Sequence, residues 1–317
     1  LDLQGGSYLL LEIDNKPVIV QKLQNKLSSL KKFLSDNDVR STNFKIIDDK
    51  KISFVIDEES IDKVLSLLGD KESEINPYFQ RFKTHEFDVE ETKVSSSSNI
   101  TLQFSEYGLV QLKTSSQNQA IEIVRRRVDE IGTNEPNILK RGNDRILVEL
   151  PGLENPDRIK SLLGKTANLT FRFVTLNEEE SFGTEKIPYE DGTEAIISKR
   201  IILSGDNLVD AQPRMDNQSN QTVVTFNLDR VGAKKFARAT SSGVGKKLAI
   251  ILDGKIISAP NIVEPIVGGA GQITGDFTFQ SATDMALLLR SGALPAPLNI
   301  IEERTVGPDL GQDSINS

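Results

Sequence analysis

Cysteine is absent from this chain of 317 residues, and its absence excludes disulfide bonds, thiolate metal ligands and thiol catalysis. Histidine occurs once, at His85, so neither a two-histidine zinc site nor a histidine-based triad can form within the chain. No stretch approaches the roughly 18 consecutive apolar residues that a membrane helix needs. With 37% hydrophobic residues, the composition is typical of a globular protein with two or three hydrophobic cores.

The chain has no excess of positive charge, since 46 acidic residues outnumber 38 Lys and Arg residues and the formal net charge is -8. This balance excludes nucleic acid as a partner, because nucleic-acid binding needs a clustered basic surface. The run Arg125–Arg127 is the basic stretch that stands out. We expect all three arginines to form the solvated face of a helix.

Residues that could support catalysis or bind a cofactor are few. The glycine-rich run Gly268–Gly271 lacks the Lys-Ser/Thr of a phosphate-binding loop, and the chain has no GxSxG motif. No acidic loop has calcium-binding spacing. We therefore predict a non-enzymatic protein with no catalytic residues, no cofactor and no metal site.

One stretch in the middle of the chain has the clearest periodicity. Apolar residues recur at steps of three, four and three from Ile121 to Ile131, which predicts a helix that ends at Gly132. Short strands are predicted at Pro136–Lys140 and Arg145–Leu150, the second of which alternates apolar residues on one face. Helix, strand, tight turn and strand form half of a split βαβ unit.

The order strand, helix, hairpin, helix, strand occurs twice, which predicts a structural duplication with halves at residues 1–93 and 99–176. A polar stretch follows, and then a third α+β pattern. We predict that residues 177–293 form an inserted head domain on a base made of residues 1–176. Residues 294–317 would return to the base as its last strand.

The two links between base and head are predicted to act as a hinge, because prolines stiffen the outbound link so that it would pivot. The predicted hinge residues are Leu176 and Asn177 on the inbound side and Ala293, Leu294, Pro295 and Pro297 on the outbound side.

A binding surface is predicted around Glu264-Pro265, because a proline inside a strand-like run places it at a sheet edge or in a loop. A sheet edge can bind an extended peptide through main-chain hydrogen bonds. The alternative is that most of these residues are head core. The predicted substrate-binding residues are Ile262, Val263, Ile266, Val267, Phe277 and Phe279.

Several motifs, in order along the chain, closely resemble the SecD family of bacterial protein-export subunits. They are Leu1–Ser7, Arg125–Asp129 with Gly132, Val148–Gly152, Leu252–Gly254, Ser258–Pro260 and Gly307–Gly311. The resemblance covers essentially the whole chain, apart from an acidic stretch at Glu178–Thr193.

The resemblance implies an α+β fold, with a duplicated ferredoxin-like βαββαβ base and an inserted α+β head. It implies a domain on the extracytoplasmic side of the bacterial inner membrane, between the first two transmembrane helices. The implied partners are SecF, the SecYEG translocon and unfolded preprotein, with YajC and SecA linked indirectly. The implied role is to bind the emerging preprotein and, through head motion driven by the proton gradient, to prevent it from slipping back.

Two alternatives remain open from the residues. The chain could be the ligand-binding extracytoplasmic domain of a related proton-driven exporter of the RND type, which would carry small apolar molecules. It could also be a static module that docks SecF or the channel.

Overall fold

The computed structural model describes residues 5–133, 135–153, 155–176 and 181–306. Runs of two to six strands separate the helices along this part of the chain. The helices are α1 (Lys16–Asp36), α2 (Ile61–Gly69), α3 (Glu106–Ile131), α4 (Asp157–Leu163), α5 (Arg230–Ser242) and α6 (Phe279–Ser291). The strands are β1 (Gly6–Ile13), β2 (Ser41–Ile47), β3 (Lys51–Asp57), β4 (Tyr78–Phe79), β5 (Thr84–His85), β6 (Phe87–Val94), β7 (Ser97–Phe104), β8 (Asn137–Arg141), β9 (Arg145–Pro151), β10 (Leu169–Phe173), β11 (Thr184–Pro188), β12 (Glu194–Ser198), β13 (Leu203–Ser204), β14 (Leu208–Asp216), β15 (Gln221–Leu228), β16 (Leu248–Leu252), β17 (Lys255–Ser258), β18 (Ala270–Phe277) and β19 (Leu298–Val306).

The first sheet has the strand order β19-β1-β9-β8, and all neighbouring strands are antiparallel. Alternation decides which side is buried, because successive side chains of a strand point to opposite faces. Leu9 and Leu11 of β1 and Ile146 and Val148 of β9 share one core with α3 and α4. The elements of this unit follow the chain order βαββαβ.

The second sheet has the order β2-β3-β7-β6 and packs against α1 and α2 in a separate core. It lies in the chain between β1 and α3. The consecutive duplication with halves at 1–93 and 99–176 is therefore not confirmed: β1 pairs with β9 and β19, and β7 completes the second sheet. An apolar alternation predicts a half-buried strand but does not specify its partner strand.

Helix α3 connects these parts. Its 26 residues span about 39 Å. Ser105 caps its start through a hydrogen bond from the Gly108 amide, and Gly132 ends it with a φ of 82°, as predicted. Leu109 and Leu112 pack on the second sheet's core, whereas Val124 and Val128 belong to the first.

Two further sheets, of order β13-β10-β16-β17 and β14-β15-β18, share a core with α5 and α6. Strands β4 and β5 and strands β11 and β12 form separate two-stranded sheets. Strand β10 was expected to close the base, but in this structure it pairs with β13 and β16. Leu169 and Phe171 of β10 pair with Leu252 and Ile250 of β16. We call residues 169–291 the head and the described residues 5–163 and 294–306 the base.

Candidate functional site at the base–head junction

Two short segments of chain join the base to the head, residues 164–168 on the way in and residues 292–293 on the way out. We call them the crossing segments. They lie side by side, because the Leu294 amide donates a hydrogen bond of 2.9 Å to the Thr166 carbonyl. Leu294 itself is buried in the base core with Ala296. The head is thus attached at one place.

Arg127 of α3 holds both crossing segments at this place. Its side chain is fully buried. One guanidinium nitrogen, Nη1, donates to the carbonyls of Leu162, Leu163 and Lys165 at 2.8, 3.1 and 2.5 Å. The other, Nη2, donates to the Gly292 carbonyl at 3.1 Å. A single cation therefore connects the inbound chain to the outbound chain.

The prediction that Arg125–Arg127 form a solvated face was wrong for Arg127. Arg125 and Arg126 are exposed, but Arg127 is buried. The sequence contained a signal for this, because Arg127 follows Val124 by three residues and precedes Ile131 by four. Those spacings put it on the apolar stripe of α3.

The charge of Arg127 is compensated mainly by helix ends. Helix α4 ends at Leu163 and α6 ends at Ser291, so the carbonyls that accept from Arg127 lie at two helix C-termini. Such ends carry partial negative charge and unsatisfied carbonyl groups. Burial lowers the pKa of Arg127 from its ordinary value to about 10, and the nearby carboxylate of Asp253 acts in the opposite direction. The guanidinium stays charged at neutral pH.

Asp253 fixes the inbound crossing segment to the head. It lies in the turn between β16 and β17. Its carboxylate accepts hydrogen bonds from the amides of Ala167 at 3.1 Å and Asn168 at 2.8 Å, and from the Thr166 hydroxyl. The inbound segment is therefore held from the base side by Arg127 and from the head side by Asp253.

Around this polar centre, the contact between head and base is small. Leu287 and Leu288 of α6 pack against Leu162 and Ala167 in a minor apolar cluster. Two ion pairs flank it, and both are partly exposed to solvent.

The first of these ion pairs joins Arg290 to Glu130 at 2.6 Å, and the second joins Arg158 to Asp284 at 3.0 Å. Hydrogen bonding to Glu130 raises the pKa of Arg290. Exposed pairs of this kind contribute at most about 1 kcal/mol each. Most of the attachment thus depends on Arg127 and the small apolar cluster.

The predicted hinge residues fall in different places. Leu176 is fully exposed and lies beyond β10, inside the head rather than at a crossing. Asn177 lies outside the described residues. Ala293 is in the outbound crossing segment, and Leu294 is buried. Pro295 and Pro297 lie on the base side, and the Pro297 carbonyl accepts a hydrogen bond from Asp14.

The predicted substrate-binding run is a loop and not an edge strand. We call residues 262–269 the apolar loop. Ile262 is buried, and its amide and carbonyl are bonded to the Lys246 carbonyl and the Gly245 amide. Val263 and Val267 are 84% and 74% exposed. The expected peptide pairing through a free backbone edge is therefore not available at Ile262.

The apolar loop runs along α5 in the opposite direction. The Ile266 amide donates to the Thr240 hydroxyl at 2.9 Å, and Gly269 lies against Ala233. Ile266 itself is half-buried and packs on the head core.

Phe277 and Phe279 do not join the apolar loop. They lie at the far end of β18, which begins at Ala270, so about 20 Å of strand separates them from the loop. Phe277 is half-buried against the head core, and Phe279 is exposed. The six predicted residues thus belong to two separate surfaces.

The described ranges contain no cluster of three His, Asp or Glu side chains that could hold a metal ion. Within the same ranges, no helix is both long enough and apolar enough to cross a membrane.

Two family models match adjoining parts of this chain. Residues 117–175 match the family model for the N-terminal part of the P1 domain of protein translocase subunit SecDF, and residues 180–296 match the model for the SecDF P1 head subdomain. The two models meet between residues 175 and 180, after β10 and beside the predicted hinge residues Leu176 and Asn177.

Full-length relatives agree with these models. The chain is 38% identical over 325 residues to the protein translocase subunit SecD of Rickettsia bellii, and 39% identical over 326 residues to that of Acetobacter pasteurianus. Each alignment covers 100% of this chain and 60% of the relative. The chain therefore spans somewhat less than two thirds of their length.

Solved structures agree as well. A crystal structure of SecDF in a super-membrane-facing form is 33% identical, with a TM-score of 0.54, over 63% of this chain and 29% of that one. A structure of the membrane component SecDF that enhances protein export is 31% identical, with a TM-score of 0.52, over 60% of this chain and 93% of that one. The chain belongs to the SecD/SecDF family of protein translocase subunits.

Proposed function

We propose that this chain is the extracytoplasmic part of a SecD subunit that binds emerging unfolded preprotein and promotes the late stage of its translocation. The head moves relative to the base at the crossing segments, and the proton gradient drives this motion through membrane helices outside the chain. The observation that carries the proposal is the single point of attachment. Both crossing segments lie beside Arg127, so a rearrangement there reorients the whole head.

The contacts between base and head suit such a motion. The apolar cluster is small, and the two ion pairs are partly exposed. Breaking an exposed ion pair costs about 1 kcal/mol or less. Arg127 accounts for most of the polar attachment. Reversible head motion needs an interface of this modest strength.

The apolar loop supports binding of unfolded polypeptide. Val263 and Val267 project into solvent, and Val244 is exposed beside them, because the neighbouring Gly245 amide bonds to Ile262. Exposed aliphatic side chains bind apolar segments with little sequence preference. A translocation aid has to release its substrate, so weak affinity is suitable.

The proposal places the domain on the extracytoplasmic side of the bacterial inner membrane, with SecF and the SecYEG translocon as partners. Membership of the SecD/SecDF family supports this assignment. The net charge of -8 argues against a role in nucleic-acid binding.

Cross-linking across the junction tests the motion. The 317 residues contain no cysteine, so Arg158→Cys with Asp284→Cys introduces one pair that is unique within them. Wild-type side chains at these positions contact each other across the junction. The pair would be placed in the full-length protein in proteoliposomes and joined by a reducible bismaleimide. We expect late translocation to stall on cross-linking and to recover on reduction.

The matched control is Arg172→Cys with Glu185→Cys, an ion pair that lies wholly within the head. Cross-linking this control should leave translocation unchanged. If verified cross-linking of the junction pair also leaves translocation unchanged, head motion is not required, and a static docking role replaces the proposal.

A binding assay tests the substrate surface. Val263→Asp with Val267→Asp should weaken binding of unfolded polypeptide, whereas Val209→Asp, at an exposed head position outside the apolar loop, should not. Equal effects of the two variants would refute the assignment. Saturable binding of a small apolar molecule without competition by peptides would favour the exporter alternative.

A further inference from the structure

The head carries a second surface, a groove of about 360 Å³ between α5 and the residues that follow β12. We call it the α5 groove. Lys235, Arg238 and Ser242 of α5 line it, and their spacing of three and four residues places them on one face of the helix. Ala233 and Thr240, which contact the apolar loop, lie on a different face. The two surfaces are therefore separate.

The floor of the α5 groove is apolar. Phe173 and Ile202 are half-buried there, and Ile201 is 49% exposed at its side. Gly243 leaves room for the ring of Phe173, because a Cβ at that position would lie 2.7 Å from the ring atom Cζ. Only a residue without a side chain allows this packing, so the ring position is determined by the fold.

The rim of the α5 groove is cationic. Arg200, Lys235 and Arg238 line it, and Lys246 Nζ lies 5.6 Å from the centre of the Phe173 ring. Within the part of the chain that the structure describes, none of these four side chains makes an ion pair. All four are exposed.

This concentration of positive charge stands out in an acidic protein. Helix α5 contains four basic residues and no acidic residue, although the chain has a net charge of -8. Among the residues that the structure describes, no carboxylate lines the groove. The described residues of the groove thus place positive charge above an apolar floor.

We infer that the α5 groove binds a segment of unfolded polypeptide in which a carboxylate adjoins an aromatic or aliphatic residue. The guanidinium and ammonium groups at the rim bind the carboxylate, and the apolar residue packs on Phe173 and Ile202. Arginine is well suited to carboxylates because its donors are arranged as a planar fork. This inference rests on the proposed role of the head in binding preprotein, and it names one class of segment that the head prefers.

The shape of the groove favours a peptide over a membrane surface. A helix that binds a membrane projects its apolar side chains into the lipid. Here the apolar residues lie at the floor, below the cations. A volume of about 360 Å³ accommodates one or two side chains.

Peptide binding to the 317-residue chain tests the inference. Three labelled 12-residue peptides are compared by fluorescence anisotropy: one alternating Glu and Phe, one with Gln in place of Glu, and one with Ser in place of Phe. We expect the Glu/Phe peptide to bind about tenfold more tightly than either of the others, because several charge pairs each contribute a few-fold. The advantage over the Gln/Phe peptide should shrink as salt increases.

Matched variants test whether the α5 groove is the site that prefers the Glu/Phe peptide. Lys235→Gln with Arg238→Gln should remove most of the preference for Glu. Lys186→Gln with Lys255→Gln removes the same charge from exposed head positions outside the groove and should preserve the preference. Equal losses in the two variants would overturn the inference, since they would show a general charge effect.

The outcomes separate this inference from the proposed function. If the Gln/Phe peptide binds as tightly as the Glu/Phe peptide, the α5 groove inference fails while preprotein binding stands. If none of the three peptides binds, the proposed function fails as well. If the chain binds vesicles of phosphatidylglycerol through Lys235 and Arg238 and shows no preference among the peptides, a membrane occupies the groove and the inference is overturned.

Discussion

Replacing Arg127 with methionine removes the group that connects the two crossing segments while keeping a side chain of similar length. The wild-type guanidinium donates four hydrogen bonds to carbonyl groups, at 2.5 to 3.1 Å. We expect Arg127→Met to loosen the junction more than it disturbs the separate cores of base and head. Among the described residues, every hydrogen bond from the Arg127 guanidinium goes to a carbonyl group at the junction.

Two opposing contributions set how much Arg127→Met destabilises the junction. Hydrogen bonds from a charged donor contribute about 1.5–3 kcal/mol each. Burial opposes them, since lowering the pKa of Arg127 from its ordinary value to about 10 corresponds to about 3 kcal/mol against the charged form. Four bonds outweigh this cost. We expect a net destabilisation of the junction of about 3–5 kcal/mol, in the range seen when one partner of a buried polar cluster is removed.

Hydrogen exchange at single amides measures the effect where it occurs. The Leu294 amide, which bonds to the Thr166 carbonyl, should exchange about 100-fold faster in Arg127→Met, because about 3 kcal/mol corresponds to that ratio. Arg126→Met is the matched control, since Arg126 is exposed on the same helix. Equal exchange rates of the Leu294 amide in the two variants would refute the assigned role of Arg127.

The conservative variant and the pH dependence refine this test. Arg127→Lys keeps the charge but lacks the planar fork, so it should recover only part of the lost protection. Between pH 6 and 9 the difference between wild type and Arg127→Met should be constant, because the pKa of Arg127, about 10, keeps it protonated. Above about pH 10 the unfolded state binds more protons at this residue than the folded state, so wild-type stability should rise relative to the variant. Denaturation across this pH range checks the sign.

Two further predictions concern the packing of α3 and the rim of the junction. Gly108→Ala should destabilise the base by about 2–4 kcal/mol, because the new Cβ would lie 2.2 Å from the Glu86 carbonyl oxygen. Gly69→Ala is the control, because no atom lies within 4 Å of its new Cβ, and it should be neutral or slightly stabilising. Urea denaturation measures both free energies of unfolding. A double-mutant cycle of Glu130→Gln and Arg290→Gln should give a coupling of about 0.5–1 kcal/mol, since the pair is partly exposed. A coupling near zero would show that this ion pair does not hold the head.

Some features of this protein follow from the sequence because they depend on neighbours along the chain. The alternation at Ile146, Val148 and Leu150 specifies a half-buried strand in any context. Gly132 ends α3 and Asp253-Gly254 turns a hairpin because those residues tolerate the required backbone angles. The family motifs are also local, and they identified the SecD resemblance.

The start of α3 shows where local signals become weak. The apolar stripe predicts the helix from Ile121, but the helix begins at Glu106. Its first half contains Gly108 and the run Thr114–Ser116, which are poor helix formers. Packing of Leu109 and Leu112 on the second sheet's core stabilises this half, and no local pattern reports that contact.

The sequence alone determined the end of α3 at Gly132, the half-buried strand at Arg145–Pro151 and the family resemblance, because each depends on residues close together in the chain. The tertiary structure alone decided that β1 pairs with β9 and β19, that β10 belongs to the head, and that the head is attached beside Arg127. Strand pairing is selected by total burial across distant segments, which an alternating pattern does not encode. The burial of Arg127 also depends on distant segments. Its position on the apolar stripe of α3 can be derived from spacing. The carbonyl groups that make its burial favourable belong to residues 35 to 165 positions away in the chain.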